Sequence, residues 1–166
     1  GHAGTLDPMA TGLLILGLGP STRLLTFIVG LSKEYVATIR LGSSSTTDDA
    51  EGDLLGFAPQ AQLDRVTDEL IADGIIPLTG EIEQVPSTVS AIKVGGKRAY
   101  ALARAGETVE LKARAVTIYA FDVQSITRGS DEEGNGFIDV EVRVECSSGT
   151  YIRALARDLG FKLGVG

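Results

Sequence analysis

The stretch Gly1-His2-Ala3-Gly4-Thr5-Leu6-Asp7-Pro8-Met9-Ala10-Thr11-Gly12 decides how the rest of this chain is read. Three glycines, a lone histidine and an aspartate locked to a proline fall within twelve residues. Such a run makes a poor core element and a good rigid loop presenting one carboxylate. Proline fixes its own φ and pushes the preceding residue out of the α region, which leaves Asp7 few conformations. The same dipeptide also reads as a helix N-cap followed by the first helical residue. A cap requires neither the glycines nor the histidine, so the local sequence leaves both roles open.

The chain has 166 residues, enough for one domain with a real core. A single cysteine rules out an intramolecular disulfide and fits a reducing, cytoplasmic setting. One cysteine and one histidine cannot build a Cys/His zinc cluster, and nothing is spaced for a carboxylate-bound metal. There is no apolar run long enough to span a membrane and no signal peptide. The chain opens inside its key motif without a methionine and stops at Gly164-Val165-Gly166, so it reads as a fragment. The net charge of −7 argues against nucleic acid at face value. Its distribution is more informative. Acid collects at 48–53, 64–73 and 131–133, whereas base collects at Lys93, Lys97, Arg98 and Arg104, and again at Lys112, Arg114, Arg153 and Arg157. A local basic face can bind RNA on an acidic protein, with strong salt dependence.

Working outward from the loop, the apolar run 13–18 between glycines reads as a buried strand. A helix is expected from Gly19-Pro20-Ser21 to about Val29, capped by Ser21 or Thr22. Alternation from Tyr35 to Leu41 suits a strand, and the polar, acidic segment 43–53 suits a loop. Leu63, Val66, Leu70 and Ile71 lie at helical spacing over 63–72. Residues 89–94 read as a strand, Gly95-Gly96 as a turn and 99–105 as a short basic helix. Segments 116–126 and 137–144 alternate as a hairpin with a long solvated tip. The chain closes on a helix over 151–163 with Ile152, Leu155, Ala156, Leu159 and Leu163 as its apolar stripe. The expected fold class is α+β, a mixed, mainly antiparallel sheet with packed helices.

Three further stretches, in order, are as distinctive as the opening one. They are Lys33-Glu34-Tyr35 through Gly42 with Asp48-Asp49-Ala50-Glu51-Gly52, then 84–93 (Gln-Val-Pro-Ser-Thr-Val-Ser-Ala-Ile-Lys), then Cys146-Ser147-Ser148-Gly149-Thr150-Tyr151-Ile152-Arg153. Together with the opening stretch, they resemble the TruB family of tRNA pseudouridine synthases along the whole chain. The resemblance implies an incomplete catalytic domain over 1–166, without the C-terminal PUA-type RNA-binding domain that members usually carry. It implies isomerisation of uridine to pseudouridine at uridine-55 in the T loop of tRNA. Asp7, Arg153 and Tyr35 match the catalytic positions, and His2, Tyr35 and Tyr151 match those that contact the substrate. His2 would fill the stacking gap left by the flipped base. No cofactor is implied, and the expected partner is the T arm of tRNA, met by a monomer.

Residue chemistry agrees with the resemblance without requiring it. If Thr150 caps the last helix, Arg153 lies in the first turn, where the macrodipole disfavours a cation unless it faces an anion. Pairing with Asp7, as the family implies, would hold that carboxylate ionised and aimed. Breaking a C1′–N1 glycosidic bond develops oxocarbenium character, which a nearby carboxylate can stabilise or trap covalently. Lys93, Lys97, Arg98 and Arg104 are the candidates for RNA backbone contacts. Three other readings stand beside this one: a related synthase acting on other RNAs, a non-catalytic RNA-binding or chaperone module, and an aspartyl-phosphate enzyme. The last lacks a second acidic residue beside Asp7 for magnesium, and a pure binder has no need of the Asp7 carboxylate.

Overall fold

The computed structural model describes residues 1–7, 9–87, 93–94, 97–98 and 112–166. In chain order the strands are β1 (His2–Ala3), β2 (Ile15–Leu16), β3 (Lys33–Leu41), β4 (Ser43–Ser45), β5 (Leu54–Phe57), β6 (Gly80–Gln84), β7 (Lys93–Val94), β8 (Lys97–Arg98), β9 (Arg114–Ser130) and β10 (Gly136–Cys146). The helices are α1 (Gln60–Leu63), α2 (Asp68–Ile75) and α3 (Ile152–Leu163), with 3₁₀ segments at Gly19–Phe27 and Ile76–Leu78.

A four-stranded antiparallel sheet in the order β3-β10-β9-β6 carries the core. Strand β10 lies at its centre, and its alternate residues Ile138, Val140, Val142, Val144 and Cys146 are all fully buried. β-Branched residues every second position fit a pleated face covered by helices. Ile39 and Leu41 of β3 and Val116, Ile118 and Phe121 of β9 extend this face. The inward parity of β9 changes between Ile118 and Phe121, because the register to β10 shifts there and again near Val123. These bulges let a strand longer than simple alternation suggests keep its apolar residues inside. Helix α3 lays Ala154, Leu155 and Leu159 against the sheet and against α2, which contributes Ile71 and Ile75. The α+β class with a mainly antiparallel sheet is as the sequence predicts.

Several element boundaries differ from the sequence reading. The hairpin strands run over 114–130 and 136–146, so Arg128, Gly129 and Ser130 belong to β9 and not to the tip. The tip shrinks to five residues because the Asp131 carboxylate caps it, accepting from the Glu133 and Asn135 amides at 2.9 and 2.8 Å. The helix expected over 63–72 is two helices. Thr67 interrupts it, its hydroxyl accepting the Leu70 amide at 3.3 Å as the N-cap of α2. Leu70 is consequently outside, 47% exposed. The 13–18 run is not a buried strand: only Ile15–Leu16 pair, with two-residue β1, and Leu13 and Leu18 are at least 80% exposed. The following helix is 3₁₀, without a side-chain cap from Ser21 or Thr22. Thr22 and Thr26 hydroxyls donate to the carbonyls three residues back at 2.9 Å, a geometry that suits the tighter pitch. Segment 43–53 is not all loop, since β4 opens a hairpin that β5 closes. Of the segments read as strand 89–94, turn 95–96 and helix 99–105, only the β7–β8 ladder, Lys93↔Arg98 and Val94↔Lys97, lies among the described residues.

Candidate active site

The opening stretch is a loop with its ends tied together. The Gly1 amino group donates to the Gly17 carbonyl and the Gly17 amide to the Gly1 carbonyl, both at 3.0 Å, and β1 and β2 continue the ladder inward. Gly4 and Gly12 take positive φ of 104° and 138°, backbone conformations that glycine adopts readily. Asp7 lies between these two glycines. Its carbonyl accepts the Ala10 amide at 2.9 Å, a turn and not a helix start, so the N-cap role for Asp7 is overturned.

The partner is Arg153. Its Nη2 donates to Asp7 Oδ1 at 3.0 Å across 146 positions of sequence. Arg153 lies in the first turn of α3, as expected, but the N-cap is Tyr151 and not Thr150, whose hydroxyl is turned back to the Ser147 carbonyl at 2.9 Å. With no acidic residue in that first turn, the cation is held there by carboxylates from other elements. Arg153 Nη1 donates to Asp49 Oδ2 at 3.0 Å and to the Thr47 carbonyl at 3.2 Å. One guanidinium thus spans two carboxylates of unequal exposure: the Asp7 side chain is 44% exposed and that of Asp49 only 11%. Arg153 is anchored at its back and offers Asp7 to solvent.

Asp49 is set by its own turn. Its Oδ1 accepts the Thr47 hydroxyl at 2.5 Å and the Glu51 amide at 3.0 Å, while Ser45 Oγ donates to its carbonyl at 2.7 Å. Gln84, fully buried at the end of β6, brackets Tyr151: its Nε2 donates to the Tyr151 carbonyl at 3.2 Å and its Oε1 accepts the Tyr151 amide at 3.0 Å. That carboxamide fixes the start of α3 and so the position of Arg153.

Tyr35 enters from β3, opposite Val144 of β10, on the half-buried side of the sheet. Burial pushes its phenol above the ordinary tyrosine range, with smaller contributions from Cys146 and Asp7. Tyr151 is raised for the same first reason, and Asp7 adds to it while Arg114 and Arg153 oppose. Both phenols therefore stay protonated beside Asp7, available as donors. His2 lies in β1, exposed, with Nδ1 against the carbonyl of Gly4. Asp7, Tyr35, Tyr151 and Arg153 are brought together; His2 is on the same loop but is turned to its own backbone.

Arg153 and Arg157 do not form the basic face read from the sequence. Each is paired, Arg157 to Asp48 at 3.2 Å and Asp158 at 2.9 Å. The acidic run 48–53 and these arginines neutralise one another. Lys112 and Arg114 are exposed. The side chains of Lys93, Lys97 and Arg98, and all of Arg104, lie outside the described residues. Asp49, Thr47, Gln84 and Arg157 were not singled out from sequence as site residues. The available signal was two adjacent aspartates in one polar segment and two arginines four apart on one helix. Among the described residues no group of three or more His, Cys, Asp or Glu is placed to hold a metal, and no helix is long and apolar enough to cross a membrane.

The profile of the family described as "TruB family pseudouridylate synthase (N terminal domain)" matches residues 1–152. The chain belongs to the TruB family. It is 67% identical over 166 residues to tRNA pseudouridine synthase B of Leifsonia xyli and 61% identical to that of Paenarthrobacter aurescens. Both matches cover all of this chain, which spans only 53% and 51% of those relatives, about half their length. Among solved structures, a chain of a Cbf5–Nop10–Gar1 complex matches with a TM-score of 0.63 at 30% identity, over 100% of this chain and 36% of that one. A chain of an H/ACA RNP bound to a substrate RNA containing 2′-deoxyuridine matches with a TM-score of 0.61 at 25% identity, over 100% of this chain and 34% of that one. The fold matches that of these solved chains, and the Asp7 loop, β3, the 46–53 turn and Ile152, the first residue of α3, fall inside the span matched to the TruB family, which ends one residue before Arg153.

Proposed function

We propose that the protein isomerises uridine to pseudouridine in tRNA, at uridine-55 of the T loop, with Asp7 as the nucleophilic carboxylate. The observation that carries this reading is the Asp7–Arg153 pair at 3.0 Å, in which the arginine side chain is only 14% exposed while the aspartate, at 44%, remains open to a substrate. The reaction breaks the C1′–N1 bond, turns the uracil, joins C5 to C1′, releases the C5 proton and returns a proton to N1. Nothing is oxidised, so the chemistry requires positioning and charge stabilisation only. Asp7, aimed by the Arg153 Nη2 hydrogen bond, stabilises positive charge at C1′ or traps it as an ester. Tyr35 offers a stacking face for the extruded base and a phenol kept protonated by burial, suited to relaying a proton. Tyr151 borders the same space, and His2 stands at the loop surface to replace the extruded base in the RNA stack. Asp49 and Gln84 touch no reacting atom in this scheme and act as positioning residues for Arg153.

The T arm as the docked segment, a monomeric protein, cytoplasmic action, and Lys93, Lys97, Arg98 and Arg104 on the RNA backbone belong to the same proposal. It is tested with T-arm hairpins carrying C5-tritiated uridine, or cytidine, at the target position. Tritium release and pseudouridine from the uridine hairpin, with none from the cytidine one, is the expected result. Tight binding of both hairpins without turnover contradicts it and favours a binding module.

A further inference from the structure

Two arginines one helical turn apart on α3 divide two neighbouring carboxylates between them. Arg153 takes Asp49 at 3.0 Å and Arg157 takes Asp48 at 3.2 Å. Residues four apart on a helix share a face, whereas adjacent residues of an extended segment point to opposite sides. Asp48 and Asp49 meet one helix face because Asp48 is left-handed, with φ 55°, alone among the described non-glycine residues. That backbone costs free energy for a side chain with a Cβ and persists only where its surroundings hold it. Arg157 is well placed to hold it. Its Nη2 also donates to the Val85 carbonyl at 2.8 Å and its Nε to Asp158 at 3.0 Å, so it is anchored on both the strand end and its own helix. Behind the turn lies a cavity of about 920 Å³ lined by Asp48, Asp49, Ala50, Gly52, Arg157 and Phe161 among others. Polar ties also reach the turn from Ser87, whose hydroxyl donates to the Thr47 carbonyl at 3.3 Å.

We infer that Arg157 and Asp48 are positioning residues: their ion pair latches the 46–53 turn onto α3, which fixes Asp49 against Arg153 and so aims Asp7. For catalysis this rests on the pseudouridine-forming reading of the site. Neither latch residue is bonded to Asp7, so the effect runs through Asp49 and Arg153.

The test uses Asp48→Gly and Arg157→Gln in the purified intact protein, each alone and in an Asp49→Asn background. Glycine adopts the left-handed backbone freely, so Asp48→Gly keeps the turn while deleting the latch. Expected for each single variant is a urea midpoint near the parental one, an unchanged KM and a single-turnover rate lower by about tenfold. In the Asp49→Asn background neither change lowers the rate further, because the path is already cut. A second readout needs no turnover. The Arg153 guanidinium NMR signals of the RNA-free protein shift in both latch variants and not in Arg143→Gln, on the outer sheet face. Parental rates in both single variants, additive losses with Asp49→Asn, or unmoved Arg153 signals overturn the latch. A protein that converts no uridine sinks the reaction reading, while the Arg153 signals still decide the latch.

Discussion

Arg153→Lys keeps the positive charge at the site and should still disable it. The guanidinium reaches Asp7 through Nη2 and Asp49 and the Thr47 carbonyl through Nη1, at 3.0, 3.0 and 3.2 Å. A lysine presents one nitrogen on an unforked stem and cannot span the two carboxylates. The buried Asp49, with its side chain 11% exposed, will claim the ammonium ahead of Asp7, whose side chain is 44% exposed and solvated. The hydrogen bond that disappears is then the one that aims Asp7. A charge-assisted hydrogen bond contributes about 1.5–3 kcal/mol. If that loss falls on the transition state alone, at about 1.4 kcal/mol per factor of ten, the rate drops roughly 10- to 150-fold. Single-turnover tritium release from a T-arm hairpin, with enzyme in excess, isolates this step from product release. Hairpin affinity should change little, since Arg153 is directed at Asp7 and not at the RNA backbone. A near-parental single-turnover rate would refute the reasoning, because it would mean that charge without the fork suffices.

Gln84→Leu deletes the side-chain partners of the Tyr151 amide and carbonyl, leaving the carbonyl only the Leu155 amide, and should lower unfolding stability by about 2 kcal/mol, read as a fall in the urea midpoint at constant slope. Tyr35 and Tyr151 should ionise later than ordinary tyrosines, because burial disfavours their phenolates. Folding thus favours their protonated forms. Their contribution to stability is complete below the ordinary tyrosine pKa and is lost as pH rises through the raised folded values, and Tyr35→Phe and Tyr151→Phe should each remove part of the late phenolate absorbance. Neutralising Lys93, Lys97, Arg98 and Arg104 together should weaken hairpin binding and flatten its salt dependence, since every phosphate that goes unneutralised reduces the log K against log salt slope by about 0.7–0.9.

The sheet was legible because β10 and β3 follow strict alternation, with Ile138, Val140, Val142 and Val144 inward on β10 and Ile39 and Leu41 inward on β3. The helix α3 was legible from its apolar stripe. What alternation could not convey was the pair of register shifts in β9, which let its apolar parity slip without leaving the core. Thr67 was hidden inside an apparently continuous helical stripe, because capping depends on one hydroxyl and not on periodicity. The apolar run 13–18 misled for a different reason: hydrophobicity signals burial only if a layer covers it, and its strand partner among the described residues is the two-residue β1. At the site, Asp7 and Arg153 stood out because a carboxylate on a Gly/Pro loop and a cation in a helix first turn are each locally anomalous. Asp49 and Gln84 are not. Their roles come from hydrogen bonds spanning 104 and 67 residues of sequence, which no local pattern encodes.

The central claim is that one carboxylate, Asp7, performs the chemistry while Arg153 aims it. Asp7→Asn tests it most directly, since the amide oxygen can still accept from Arg153 Nη2 but cannot act as a carboxylate nucleophile. The measurement is single-turnover pseudouridine formation on the T-arm hairpin, alongside hairpin affinity for the same preparation. Parental affinity with no detectable pseudouridine is the predicted result; turnover by Asp7→Asn within about tenfold of the parental rate would contradict the account.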